Sequence, residues 1–215
     1  MARVNLERRA EIGLAKRNRT RAAILEAARA CYASPTAAPV TIDSLMRAAG
    51  LAKGTFYVHF DDLAALEAEL GDTLIEELDR RLQPARLAVN QPLTRIATAI
   101  TVLLRDLART PEQARLVARA ATAMPDVVTA IQAHLREDLA EARTAGLLAV
   151  GSIELTARIV TALSQQAARD LAERRIDDSA LPDIVRAILR ALGCAPREAA
   201  RHASAAERHA RAHSL

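Results

Sequence analysis

Leu63, Leu66, Leu70, Leu74, Leu78 and Leu82 recur every three or four residues. That spacing places all six on one face of a helix, and an apolar stripe of this length demands burial. The same periodicity runs through almost the whole chain, and no period-2 alternation marks a strand. Ala, Leu, Arg and Glu dominate, all strong helix formers, and only 7 Gly and 8 Pro interrupt them in 215 residues. The expectation is an all-α protein of about nine helices, long enough for one medium or two small domains with a real core.

The breakers set the boundaries. Residues 1–18 read as a basic arm, and a helix follows from about Arg19 to Ala33. Two prolines make residues 34–39 a loop. Thr41 is placed to cap the next helix, with Asp43 complementing its dipole, and Gly50 ends it in a left-handed turn. Lys53 to Phe60 reads as a short third helix. Asp61 or Asp62 caps the leucine helix, which Pro84 is expected to stop. Further helices are read over 92–109, 111–123, 126–145, 152–175 and 180–192. They are broken at Thr110-Pro111, Met124-Pro125, Gly146 to Gly151, Asp177-Asp178-Ser179 and Gly193. From Pro196 the chain is an Ala/Arg/His-rich tail, either a loose helix or disordered. The division expected is 1–18 arm, 19–66 first domain, 67–195 second domain and 196–215 tail.

Charge is unevenly spread. The net value is +4, yet residues 1–60 hold ten Lys and Arg against four acids, and the rest of the chain holds 20 against 22. A basic N-terminus on a near-neutral body points to a polyanionic partner. The aromatics are concentrated in the same region. They make up 2% of the chain, and three of the four (Phe56, Tyr57 and Phe60, beside the distant Tyr32) fall within five residues.

The segment from Thr41 to Phe60 is helix, Gly-containing turn and short helix, a helix-turn-helix arrangement. Ile42, Leu45, Ala49, Leu51, Phe56 and Phe60 close a small core. Lys53, Thr55, Tyr57 and His59 are left for the outer face. Ala52 and Gly54 let the backbone approach a phosphate closely, and the helix N-terminus offers free N–H groups. Thr41…Ala49-Gly50-Leu51-Ala52-Lys53-Gly54-Thr55-Phe56-Tyr57-Val58-His59-Phe60 resembles the DNA-binding signature of the TetR family of transcription regulators.

The resemblance covers about residues 19–66. It implies an all-α, two-domain homodimer that binds double-stranded operator DNA and holds a small-molecule effector in its C-terminal domain. By position it implies that Thr41 holds a phosphate and that Lys53, Gly54, Thr55, Tyr57 and His59 contact the major groove or its backbone. Family members often carry a Lys soon after the His-Phe pair; this chain has Asp61-Asp62-Leu63-Ala64, which cannot hold a phosphate. The arm, with Arg17, Arg19 and Arg21 nearest the fold, is expected to supply the missing contact at the backbone or in the minor groove.

The C-terminal half has no aromatic residue, so a pocket there is aliphatic with a few polar groups. Candidates are Thr98, Thr101, Arg119, Met124, His134, Thr161 and Gln165. Such a pocket suits a hydrophobic fatty acyl, terpenoid or lactone-like effector better than a flat cation. The helices at 152–175 and 180–192 carry Ile153, Val160, Leu163, Ala167 and Leu171, then Leu181, Ile184, Val185, Ile188 and Leu192. The resemblance implies a four-helix dimer interface from them, with Gly71 in the leucine helix as a hinge for an effector-driven movement.

Other chemistry is not signalled. Cys31 and Cys194 lie far apart and read as buried thiols rather than a disulfide. His209 and His213 share a helix spacing, but no carboxylate or thiol completes a metal set. There is no Gly-rich phosphate loop, nucleophile elbow, HExxH or CxxC, so neither an enzyme nor a cofactor is expected. No apolar run reaches the length of a membrane span, and no secretory leader opens the chain; a cytoplasmic, nucleoid-associated location is expected. The functional expectation is a sequence-specific repressor released by an effector. The alternative is a TetR-like nucleoid or adaptor factor without an effector.

Overall fold

The computed structural model describes residues 2–35, 38–123 and 129–212. Thr36 and Ala37 of the proline loop, the Met124-Pro125 break and His213 lie outside the described residues. Within them the chain forms ten α-helices and no strand. Two compact units divide it, Met1–Leu70 and Gly71–Leu215.

The first unit contains α1 (Ala2–Ala33), α2 (Ile42–Ala48), α3 (Lys53–Phe56) and the start of α4 (Leu63–Leu87). The expected arm is therefore not a separate segment: residues 2–18 continue the first helix. Its Arg-, Glu- and Ala-rich sequence has no proline to stop it. Thr41 caps α2 as expected. Its Oγ1 accepts from the Ser44 N–H at 3.1 Å and the Ser44 hydroxyl reaches back, a reciprocal capping box. At the other end Gly50 takes φ +67°, and the Leu51 N–H bonds Met46 O at 3.0 Å. α3 is one turn of helix rather than two; a hydrogen-bonded turn carries the chain on to Phe60.

Phe56 is fully buried, with the Phe60 ring 5.6 Å and the Tyr57 ring 5.5 Å away. Ile24, Leu45, Met46, Leu66 and Leu70 complete that core. Ile42, Ala49 and Leu51, expected inside, are only half-buried.

The leucine stripe is buried from Leu66 to Leu82, while Leu63 is half-buried. Pro84 does not stop the helix, which runs to Leu87. The proline gives up one backbone bond, but Leu82 and Ala85 on either side are buried and Arg86 is anchored by Asp138 on another helix. Tertiary contacts thus outweigh the lost bond.

In the second unit the core is built around α5 (Pro92–Arg109). It packs against α6 (Pro111–Ala123), α7 (Thr129–Thr144), α8 (Ile153–Ala172), α9 (Leu181–Ala191) and α10 (Pro196–Ala212). A short 3₁₀ turn at Asp178–Ala180 precedes α9. The expected tail is the helix α10. Ala199, Ala203, Ala206 and Ala210 are buried at helical spacing, and small side chains allow close packing of α10 against α5. Alanine marks an apolar face weakly among so many Arg and His, which is why the segment reads as a tail. His202 is also buried there, its Nδ1 2.8 Å from Thr94 Oγ1. Cys194 is a buried free thiol, and Cys31 is half-buried.

Of the apolar residues expected at a dimer face, Val160, Ala167, Leu171, Leu181, Val185, Ile188 and Leu192 are core of the second unit. Leu163 stays exposed, in line with Leu155 and Ile159 on α8.

Candidate functional site

The capped α2, the Gly50 turn and α3 form a scaffold whose inward residues are aromatic and aliphatic, leaving a polar outer row. Lys53, Gly54, Tyr57 and Val58 are exposed; Thr55 and His59 are half-buried. Lys53, Thr55, Tyr57 and His59 are the residues expected on that face, and Val58 joins them there. It is 60% exposed beside Tyr57, which adds an apolar side chain to the row.

Each remaining candidate has a definite place. Thr41 is exposed, with its hydroxyl engaged in the cap. Lys53 Nζ lies 3.0 Å from Asp43 Oδ1, bridging α3 to α2; hydrogen bonding to that carboxylate, then its charge, holds the ammonium above its ordinary pKa. A Cβ added to Gly54 would meet nothing within 4 Å, so the fold itself does not require glycine there. His59 Nδ1 is buried without a hydrogen-bond partner. Its burial, then Arg17 and Arg21, lower the ring's pKa, so the imidazole is neutral near pH 7.

The three arginines separate into two kinds. Arg19 is exposed, and Arg17 is exposed while donating to Val58 O at 3.3 Å. Arg21 is committed to the fold. It donates to His59 O, pairs two-pronged with the Glu69 carboxylate (Nε to Oε1 3.0 Å), and lies 4.2 Å above the Phe60 ring. It therefore fastens the turn after α3 to α4. Asp62, not Asp61, caps α4 by accepting from the Ala65 N–H at 2.7 Å.

The second unit contains a separate feature, a cavity of about 160 Å³ walled by α4 to α8. His134, Thr161 and Gln165 of the sequence candidates line it. Thr98 and Thr101 do not; their hydroxyls return to Thr94 O and Ala97 O in α5, both at 2.7 Å. Arg119 is not among the lining residues, and Met124 lies outside the described residues. Asp79, Arg86 and Asp138, none of them among the sequence candidates, also line it. Asp138 accepts from Arg86 Nε and Nη2 at 3.1–3.2 Å and from Arg95 Nε at 2.6 Å. These residues come from three helices, so no local spacing announces them.

Residues 24–70 match the family model described as bacterial regulatory proteins, tetR family. No curated protein matches the chain in sequence. Among solved structures, RolR in complex with resorcinol is 22% identical, with a TM-score of 0.67 over 89% of this chain and 96% of that one. FadR from Bacillus subtilis in complex with stearoyl-CoA is 14% identical, with a TM-score of 0.63 over 77% and 96%. SmeT, the repressor of a Stenotrophomonas maltophilia multidrug efflux pump, is 18% identical, with a TM-score of 0.60 over 80% and 89%. At these identities the likeness is one of fold.

Proposed function

We propose that this chain, a member of the TetR family of bacterial regulatory proteins through its residues 24–70, is a homodimeric repressor released from operator DNA by a small molecule. The observation that carries the DNA reading is the outer row of the helix-turn-helix. An exposed tyrosine, an exposed valine, a lysine and an unobstructed glycine stand together on a surface where a soluble fold has no use for large apolar groups. In this reading Tyr57, Val58 and His59 meet base edges and the groove wall. Lys53, Thr55 and the Gly54 backbone meet phosphates, as does Thr41, and Arg17 and Arg19 add backbone contacts. Arg21 positions the turn and does not touch DNA.

A dimer is needed because two recognition helices must enter successive major grooves about 34 Å apart. Leu155, Ile159 and Leu163 support one, lying i, i+4, i+8 along α8 with 60%, 39% and 39% exposure. The effector reading is supported by the cavity and by neighbours of the same fold crystallised with resorcinol and with stearoyl-CoA.

The test is a gel shift of the purified protein on DNA flanking its own gene, with excess nonspecific competitor. Wild type should give a competitor-resistant shift that Tyr57→Ala/His59→Ala abolishes. Deleting residues 1–16 should weaken the shift and flatten its salt dependence. A shift that competitor removes at every salt concentration would replace the repressor reading with a nucleoid-protein one. No shift on any DNA would point to an adaptor.

A further inference from the structure

The cavity of the second unit is nearly dry of polar surface, and the charges around it are already spoken for. Leucine, isoleucine and valine from five helices make most of its wall. Asp138 is buried and clamped between Arg86 and Arg95, and Arg95 also pairs with Glu141. This group of two guanidinium and two carboxylate groups is neutral as a whole. Asp79, also on the wall, has its Oδ1 3.5 Å from His134 Nε2. What remains for a ligand is the neutral edge of α8, where Thr161, Ser164 and Gln165 share one helix face.

From these features, and resting on the reading of this unit as a ligand-binding domain, we infer that the cavity takes a neutral, compact molecule. It is roughly six to ten heavy atoms in size, since a cavity of about 150 Å³ accommodates one benzene-sized ring. It carries one hydroxyl or carbonyl for the α8 edge and has no charge. Among the described lining residues Arg86 is the one lysine or arginine a carboxylate would meet; to reach it the carboxylate must displace Asp138 and strand that charge in an apolar wall. An ammonium meets the converse obstacle, since Asp79 is shared with His134 and the guanidinium groups of Arg86 and Arg95 stand nearby. An acyl chain of ten or more carbons has more heavy atoms than the cavity takes.

The experiment is isothermal titration of the full chain with four probes: cyclohexanol, cyclohexanecarboxylate, cyclohexylamine and decanoate. Cyclohexanol should bind one per chain, with the two charged ring compounds at least about tenfold weaker, the cost of desolvating an unpaired charge, and decanoate not at all. Two cavity-filling variants on different helices, Ala99→Leu and Ser164→Leu, should each abolish cyclohexanol binding while keeping the wild-type circular dichroism. Equal or tighter binding of either charged ring, binding of decanoate, or no binding of cyclohexanol would overturn the inference. So would cyclohexanol binding that survives in a folded filling variant. Adding operator DNA separates this from the effector reading: cyclohexanol that binds but leaves the operator complex intact would sink the effector role and leave the ligand class standing.

Discussion

In the N-terminal unit the large buried side chains include aromatic rings, and the charged groups lie near the surface. Arg21 and Glu69 are 38% and 34% exposed, Lys53 and Asp43 57% and 60%. In the C-terminal unit the core is Leu, Ile, Val and Ala, and the charges go inside: Asp138 is 4% exposed, Arg86 12% and Arg95 18%. A domain that presents chemistry to a macromolecule keeps its polar groups at a surface that one short segment can build. A domain that encloses a cavity must bring polar groups in from several helices and neutralise them there. The two arrangements should differ most in what breaking one charge pair costs.

Asp138→Asn is the largest expected effect. It keeps the shape of the side chain but removes the buried charge that the Arg86 and Arg95 guanidinium groups share. Breaking a buried pair from one side costs about 3–5 kcal/mol. Urea unfolding followed by far-UV circular dichroism measures it; a loss below about 1 kcal/mol would place this network with ordinary surface pairs and dissolve the contrast.

Arg21→Ala tests the other side of the comparison. A half-exposed ion pair and a cation–π contact together contribute about 1–2 kcal/mol. The loss should appear as a lower unfolding midpoint, and operator affinity should fall only as the turn after α3 loosens. If affinity instead drops with no change in stability, Arg21 belongs with Arg17 and Arg19 at the DNA.

The same contrast explains what was legible in the sequence. The capping by Thr41, the turn at Gly50, the buried Phe56 and Phe60 and the exposed Tyr57 all follow from spacing within twenty residues, because local rules fix them. Arg21, by contrast, finds Glu69 from 48 positions away, and Asp138 finds Arg86 and Arg95 from 52 and 43. No periodicity encodes such partnerships. The tail was obscure for a related reason: an alanine face becomes apolar surface only when another helix lies close against it, as α5 does against α10.

A third measurement uses that docked helix. The pKa of His202 is lowered by burial, then by Arg201, with Glu198 opposing; Thr94 of α5 faces its Nδ1. The unfolded chain therefore takes up the proton more readily than the native one. Stability is full above the unfolded value of about 6.5 and falls as pH drops from there through the lower folded value. The urea midpoint should decrease between about pH 7.5 and about pH 5.5, and His202→Gln should remove part of that slope. His59 is shifted in the same direction by its own burial, yet DNA phosphates would raise it again. Operator affinity should therefore rise over the interval in which stability falls, and His59→Gln should flatten the former alone. Parallel curves would mean that His59 does not sense DNA.

The smallest effect compares one backbone device across both units. Gly50 after α2, Gly146 after α7 and Gly193 after α9 have φ of +67°, +70° and +83°. At each, the following N–H bonds a carbonyl five residues back: Leu51 to Met46, Leu147 to Ala142 and Cys194 to Leu189. α8 ends in the same way, with Arg175 N–H on Asp170 O at 2.8 Å, but the left-handed position is Arg174 at φ +56°. A side chain there costs about 1–2 kcal/mol, while glycine gives back roughly 0.5–1 kcal/mol through the freedom of the unfolded chain. Arg174→Gly should therefore stabilise by about 0.5 kcal/mol, a rise of roughly 1–2 °C in Tm for a chain of this size. Gly50→Ala, where a Cβ meets nothing within 4 Å, should cost about 1 kcal/mol from the dihedral alone. Opposite signs at the two positions would show that one local rule governs helix ends in both units. An Arg174→Gly protein no more stable than wild type would mean that the Arg174 side chain contributes packing that offsets its backbone strain.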